Sequence, residues 1–279
     1  MAIDTSGGVA VVTGAAGGLG LGIAQAAAED GMAVVIADID ADRLEAAASG
    51  LRAAGHRVVA VPGDVTDPAA MTDLAAAATE AFERIDLVCL NAGISPVALP
   101  ITEVPQKVWE KVMAINLYGV VNGINAFLPV LEAQGGGHIN ATASVNGHMA
   151  DPGIAAYNAS KFAVVGLMES LLVDLRASGS PITASVLCPG PIATDIIKRA
   201  VGEDRGKRDE EHALLNRGMQ PYEAGRINID RIKEGRFWIF THDVMVDDTL
   251  RRRFETMAAD GSHPADLAWS WDDILDVEA

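Results

Sequence analysis

Short unbroken apolar runs alternate with longer, mostly alanine-rich segments along most of this 279-residue chain, and no other feature restricts its fold as much. Val9–Val12, Ala33–Ala37, Val58–Val61 and Leu87–Leu90 read as strands. Leu21–Asp30, Ala41–Ala54 and Pro68–Arg84 read as the helices between them, with Gly31 and Gly55 as stops for the first two. Residues 104–131 are mostly helical in pattern, 137–144 hold a fifth strand, and 155–177 form a long helix. Residues 183–188 and 236–241 supply two further strands. Strands that are apolar throughout belong where both sheet faces are covered, as in parallel sheets. The repeated strand–helix order predicts right-handed crossovers and an α/β fold: one doubly wound parallel β-sheet with helices on both faces. No long linker or internal repeat breaks the pattern, so residues 1–279 read as a single domain.

With 49% apolar and 21% charged residues, the chain can bury a sizeable core. Its net charge of −17 argues against nucleic acid or an anionic membrane as partner, since both attract cationic faces. Cys89 and Cys188 sit inside apolar runs and form no C-x-x-C pair, which fits a reducing compartment and predicts a cytoplasmic location. The first eight residues lack the cationic-then-apolar order of a secretory signal, and no run of about 18 uninterrupted apolar residues predicts a membrane span. His56, His138, His212, His242 and His263 read as solvated or capping residues, and no metal motif is present. Segment 192–220 reads as a substrate lid. Its charge run Glu203–Glu211 is either a solvated helix face or a mobile loop. Residues 243–279 read as a C-terminal extension, whose acidic end from Pro264 onward docks on a neighbour or stays loose.

Gly14, Gly18 and Gly20 stand between the first strand and the first helix as G-x-x-x-G-x-G. Such a turn lets backbone approach a pyrophosphate, and the helix start offers unpaired N–H groups. An ordinary strand–helix turn is the alternative. Asp38 ends the second strand, 18 residues past Gly20, where a carboxylate can accept from both adenosine ribose hydroxyls and repel a 2′-phosphate. Neither Arg nor Lys occurs between Gly14 and Asp42, which favours NAD over NADP. Asp64 and Val65 are candidates for the adenine edge, although Asp64 can equally cap the next helix, a role open also to Thr66 or Asp67. Asn91, Ala92 and Gly93 give a small-residue strand end over which a cofactor can lie. Gly17, Leu19 and Ile39 complete this set.

Tyr157 and Lys161 are spaced i, i+4 and share a helix face. A tyrosine with a pKa of about 10 is a poor base at neutral pH; lowering it by about 3 units takes roughly 4 kcal/mol, the order expected from a nearby ammonium helped by the cationic oxidised nicotinamide ring. Ser144 ends the fifth strand 13 residues upstream and can hold a substrate oxygen against the phenol. Asn116 is an amide in an otherwise apolar helix, suited to holding a kink or a water that links Lys161 to solvent.

With these residues in view the chain resembles the short-chain dehydrogenase/reductase family, from about Gly8 to Thr194. The matching motifs are Thr13-Gly14-x-x-x-Gly18-x-Gly20, Asn91-Ala92-Gly93, Asn116, Ser144, Tyr157-x-x-x-Lys161 and Pro189-Gly190-Pro191-Ile192-Ala193-Thr194. The resemblance implies a Rossmann-type fold, a catalytic tetrad of Asn116, Ser144, Tyr157 and Lys161, and a homotetramer or homodimer. It also implies that Lys161 binds the nicotinamide ribose and that Ile192 and Thr194 bind the carboxamide, with Pro189 and Gly190 beside them. Leu90, Ala141 and Ala143 depart from the family's commoner residues near the strand ends.

The expected reaction is NAD-dependent interconversion of a secondary alcohol and a ketone, with Tyr157 as general acid/base. Ser95, Val97, Asn146 and His148, with Ser144 and Tyr157, are the substrate-facing candidates; His148 is otherwise a solvated loop residue. Ile101, Ile196, Ile197, Leu214, Leu215 and Met219 suit an apolar pocket, or simple helix packing. A hydrophobic cyclic or aromatic-bearing alcohol is the expected substrate. An NAD-retaining epimerase or dehydratase and a non-catalytic dinucleotide-binding scaffold are the alternatives.

Overall fold

The structure, a computed structural model, describes residues 7–258 except 199, 202–204, 245 and 247–249. Seven strands form one parallel sheet: β1 (Val9–Thr13), β2 (Ala33–Asp38), β3 (Val58–Pro62), β4 (Leu87–Leu90), β5 (His138–Thr142), β6 (Thr183–Cys188) and β7 (Trp238–Phe240). Their order is β3-β2-β1-β4-β5-β6-β7, so the chain reverses direction across the sheet between β1 and β4.

Successive strand residues face opposite sides, and in β1, β2 and β4 both sides are dry, which is why those strands carry no polar alternation; β5 and β6 instead alternate His138, Asn140, Thr142 and Thr183, Ser185 with apolar residues. Ala10 and Val12 join one core with Ile23 of α1 (Gly18–Glu29), Leu44 of α2 (Ala41–Ala53) and Ile229 of α8 (Pro221–Lys233). Val11 joins the other with Leu74 of α3 (Pro68–Phe82), Phe127 of α5 (Gly119–Gln134) and Met168 of α6 (Ala155–Ala177). Residues 106–134 are apolar enough to cross a membrane by composition, yet Val120, Ile124, Phe127 and Leu131 of this stretch pack in the sheet core. The remaining helices are α4 (Gln106–Met113), α7 (Arg205–Leu215) and α9 (Arg251–Ala258).

The helix starts follow capping chemistry. Asp40 accepts from the Arg43 N–H at the start of α2, and Asp67 accepts from the Ala69 N–H at the start of α3, where Pro68 takes the first turn. The structure departs from the expected elements in three places. First, α1 begins at Gly18, so Gly18 and Gly20 belong to its first turn while Gly14 and Gly17 precede it. Second, α8 has no counterpart among the expected elements; it crosses α1 with the backbones touching at Gly22 and Gly225. Third, the helical stretch after residue 104 is three pieces, with a π-helical turn at Ala114–Tyr118 between α4 and α5. The described part of the Glu203–Glu211 charge run lies in α7, and the acidic stretch beyond residue 258 lies outside the described residues.

Candidate active site

The carboxyl ends of the strands open into a cleft of about 660 Å³. One half is built on β1, β2 and the start of α1. Gly14 has φ +66°, and a Cβ on it would lie 2.8 Å from Ala92 Cα. A Cβ on Gly20 would lie 2.3 Å from the Gly14 carbonyl oxygen. The turn is therefore backbone packed on backbone, and it leaves the start of α1, with no acidic residue in its first turn, facing the cleft. Thr13 Oγ1 accepts from the N–H groups of Asn91 (2.9 Å) and Ala92 (3.2 Å). Asn91 Nδ2 donates to Thr13 O (3.1 Å), and Thr142 Oγ1 donates to Asn91 Oδ1 (3.1 Å). These bonds tie the ends of β1, β4 and β5 together.

Asp38 is held by two main-chain donors, Ala16 N–H on Oδ2 (3.2 Å) and Asp40 N–H on Oδ1 (3.0 Å). Asp64 accepts from the Thr66 N–H (2.9 Å), while Asp67 does the capping of α3. Gly14, Gly17, Gly18, Leu19, Gly20, Asp38, Ile39, Asp64, Val65, Asn91, Ala92 and Gly93 all line the cleft, as do Pro189, Gly190, Ile192 and Thr194. Gly190 is fixed from outside: its N–H donates to Thr241 Oγ1 (3.1 Å).

The other half carries Ser144, Tyr157 and Lys161. Lys161 Nζ lies 5.5 Å from the Tyr157 ring centroid and donates to Thr142 O (2.8 Å). Burial pushes the Lys161 ammonium down to about 8. Burial also pushes the Tyr157 phenol up to about 12; the Ser144 hydroxyl opposes this and the charge of Asp151 adds to it. In the protein alone desolvation therefore leads at the phenol, whereas the expected lowering counts on Lys161 together with the cationic nicotinamide ring. Ser144 Oγ donates to Asn146 Oδ1 (3.1 Å) and accepts from the Asn146 N–H (3.1 Å).

Asn116 lies beneath the cleft, fully buried in the π-turn. Its Oδ1 accepts from the Ile94 N–H (2.8 Å), and its Nδ2 donates to Ile94 O (3.0 Å) and Ser160 Oγ (3.1 Å). Ser160 Oγ in turn donates to Tyr157 O (2.7 Å). Asn116 therefore clasps the loop after β4 to the first turn of α6. A Cβ on Gly93 would lie 3.3 Å from Asn116 Oδ1 and 3.5 Å from Lys161 Nζ, so the clasp and the ammonium meet at this glycine.

Of the substrate-facing candidates, Ser95 and Asn146 line the cleft; Val97 and His148 do not. Val97 is buried behind it, its N–H donating to Val201 O (3.0 Å). His148 turns into the protein, with Nε2 3.4 Å from Cys188 Sγ and its ring 5.5 Å from Phe240, and burial holds it neutral, at about 4. Ile196, Ile197 and Leu215 line the cleft, whereas Ile101 is exposed and Leu214 and Met219 lie outside the lining.

Residues 8–205 match the family described as short chain dehydrogenase. The chain belongs to this family. Among relatives of this short-chain dehydrogenase is the 1-deoxy-11-beta-hydroxypentalenate dehydrogenase of Streptomyces exfoliatus, 40% identical over 213 residues, 74% of this chain and 77% of that one. The CLA biosynthesis dehydrogenase/reductase of Lactiplantibacillus plantarum is 39% identical over 267 residues, 88% and 92% of the two chains. A short-chain dehydrogenase/reductase from Burkholderia phymatum, solved in complex with NAD, superposes with a TM-score of 0.84 at 33% identity, covering 94% of this chain and 99% of that one.

Among the cleft residues of this short-chain dehydrogenase that escape sequence reasoning are Arg43 and Asp151. Arg43 stands one position beyond the cation-free window Gly14–Asp42, and a Cβ on Gly17 would lie 2.8 Å from its guanidinium. The adenosine end thus holds a cation as well as Asp38; the spacing of a helix, which turns residue 43 back over the glycine loop, was the available signal. Asp151 lines the opposite end, where Asp-Pro-Gly reads as nothing more than a turn.

Proposed function

We propose that this short-chain dehydrogenase interconverts a secondary alcohol and a ketone with NAD, on a substrate with a hydrophobic cyclic or aromatic body. The observation that carries the reading is the convergence of Ser144, Tyr157 and Lys161 on the cleft whose other half is the Gly14–Gly20 turn. That turn fits a dinucleotide: Cβ atoms have no room in it, and it opens main-chain donors where a pyrophosphate needs them. Asp38, held by two N–H groups, keeps lone pairs for ribose hydroxyls. Bound NAD would supply the hydride acceptor.

The chain's own residues handle the proton and the oxygen. In the oxidation Tyr157 takes the proton of the substrate hydroxyl, and Ser144 holds the same oxygen and the charge that develops on it. Lys161, with a pKa of about 8, is mostly charged at neutral pH and points its remaining N–H groups away from Thr142 O. Its charge favours the phenolate, and the released proton leaves by way of it. Asn116 keeps the first turn of α6, and with it the phenol, in register.

Segment 192–220 serves as the lid. Asp195, Ile196, Ile197 and Leu215 face the cleft, and the bridges Ile192–Met219 and Pro96–Val201 anchor its base. The proposal extends to a homodimer or homotetramer, a reading supported by the exposed Tyr118 and Val173, and to the cytoplasm, which the free, buried Cys89 and Cys188 suit.

Tyr157→Phe tests the reading. Loss of general acid/base catalysis costs about 10²–10⁴ in rate. We expect kcat for NADH formation to fall by that factor while calorimetric NAD binding persists; a full rate in the variant would remove the mechanism.

A further inference from the structure

We propose that Asn146 and Asp151 form a polar subsite that reads a second hydroxyl on the substrate, one or two carbons from the carbinol being oxidised. This rests on the dehydrogenase reading above and adds the chemical class of the substrate to it.

Asn146 is only 7% exposed yet lines the cleft. Its Oδ1 is committed to the Ser144 hydroxyl (3.1 Å), which leaves Nδ2 buried with no hydrogen-bond partner of good geometry among the described residues. A buried unpaired donor costs about 1–3 kcal/mol, so this amide calls for an acceptor carried in by a ligand. Asp151 lies beside it. Burial keeps the pKa of its carboxyl above the usual range, and the Asn146 amide pulls it the other way. Its charge also raises the pKa of the Tyr157 phenol, and carboxyl and phenol line the same cleft. The main chain of Asp151 is clamped by Asn158, whose Nδ2 donates to Asp151 O (2.7 Å).

A group that satisfies both side chains must accept from Asn146 and donate to Asp151. A hydroxyl does both; an ether or ketone only accepts, an ammonium only donates, and a carboxylate meets a like charge. The distance follows from Ser144, which holds the reacting oxygen and touches Asn146 directly, so the second oxygen is vicinal or 1,3 to the first. Ile154, Ile196 and Ile197 line the same cleft, which suits a substrate with a hydrophobic body.

The test compares trans-cyclohexane-1,2-diol with cyclohexanol at saturating NAD. We expect wild type to favour the diol about tenfold in kcat/KM, beyond the factor of about two that its two equivalent carbinols give. Asp151→Ala should bring the ratio down to that statistical factor. The isosteric Asp151→Asn, which keeps a weaker acceptor, should lower it at least about threefold and stands in if the alanine variant does not fold. Because each ratio is taken within one protein, a general loss of structure cancels. A wild-type ratio near two, or a ratio unchanged in Asp151→Asn, overturns the subsite and leaves the dehydrogenase reading in place. If neither alcohol yields NADH, both readings fall together.

Discussion

Single side chains set the chemistry here, and each is placed by a main-chain contact rather than by its own reach. Asp38 is oriented by two N–H donors, and Lys161 by one carbonyl. Hydrogen bonds to a charged group contribute about 1.5–3 kcal/mol each, so Asp38→Asn should weaken NAD binding by about 10- to 100-fold. The same variant should gain affinity for NADP, since it removes a repelling charge while Arg43 remains at that end of the cleft. Fluorescence titration of both dinucleotides checks this; equal affinities in wild type would overturn the ribose role of Asp38. The sequence made Tyr157, Lys161, Ser144 and Asp38 legible because their spacing to strand ends and helix starts is short and local. Arg43 and Asp151 were hidden because their relevance comes from a helix turning back and from a turn folding in. His148 misled for the complementary reason. A polar residue two places past a cleft residue reads as cleft-facing, but the 3₁₀ turn Val145–Gly147 rotates it toward Cys188 and Phe240.

At the scale of elements, strands were the easiest to find, since a strand buried on both faces writes itself as a continuous apolar run. Helix α8 was missed because the face it buries is Ala224, Gly225, Asn228, Ile229 and Ile232. The period is helical, but a glycine and an amide stand in it where apolar residues would mark a helix. That amide belongs to a polar chain inside the sheet layer. Asn228 Nδ2 donates to Asn140 Oδ1 (3.1 Å), Asn140 Nδ2 donates to Ser185 Oγ (2.8 Å), and the same hydroxyl lies 2.7 Å from His138 Nε2. Thr183 Oγ1 holds the other ring nitrogen of His138 at 2.7 Å. Far from being solvated or capping, as the sequence suggested, His138 is buried and kept neutral, its pKa pushed down to about 3. Since the unfolded chain binds this proton near pH 6.5 and the folded chain only near 3, the imidazole's contribution is intact above 6.5 and is lost as the pH falls through that window. By pH 4 the loss is about 3 kcal/mol. Urea unfolding at pH 7 and pH 4 should therefore show a steeper fall for wild type than for His138→Gln; parallel falls would place the acid sensitivity elsewhere.

For the molecule as a whole, the strand order decides where everything happens. The reversal between β1 and β4 leaves a crevice at the strands' carboxyl ends, and the cleft lies there. Ligand that fills it should hold the domain together. NAD at about 100 times its Kd adds about 2.7 kcal/mol of stability. For a domain of this size that is a rise in Tm of about 5–10 °C, readable by calorimetry. NADP at the same concentration should give a smaller rise, and no rise with either would contradict the dinucleotide assignment. Alternating runs announce this architecture in the sequence, whereas the π-turn that carries Asn116 has no signature beyond one amide among apolar neighbours.

The same reversal splits responsibility along the chain. The residues proposed for the adenosine half, Gly14 to Val65, come early in the chain, and those proposed for the nicotinamide end and the substrate come from Asn91 onward. New substrates can accordingly be explored by altering the later loops, with the adenosine grip inherited intact, so descendants of such a gene are free to diversify one half while keeping the other.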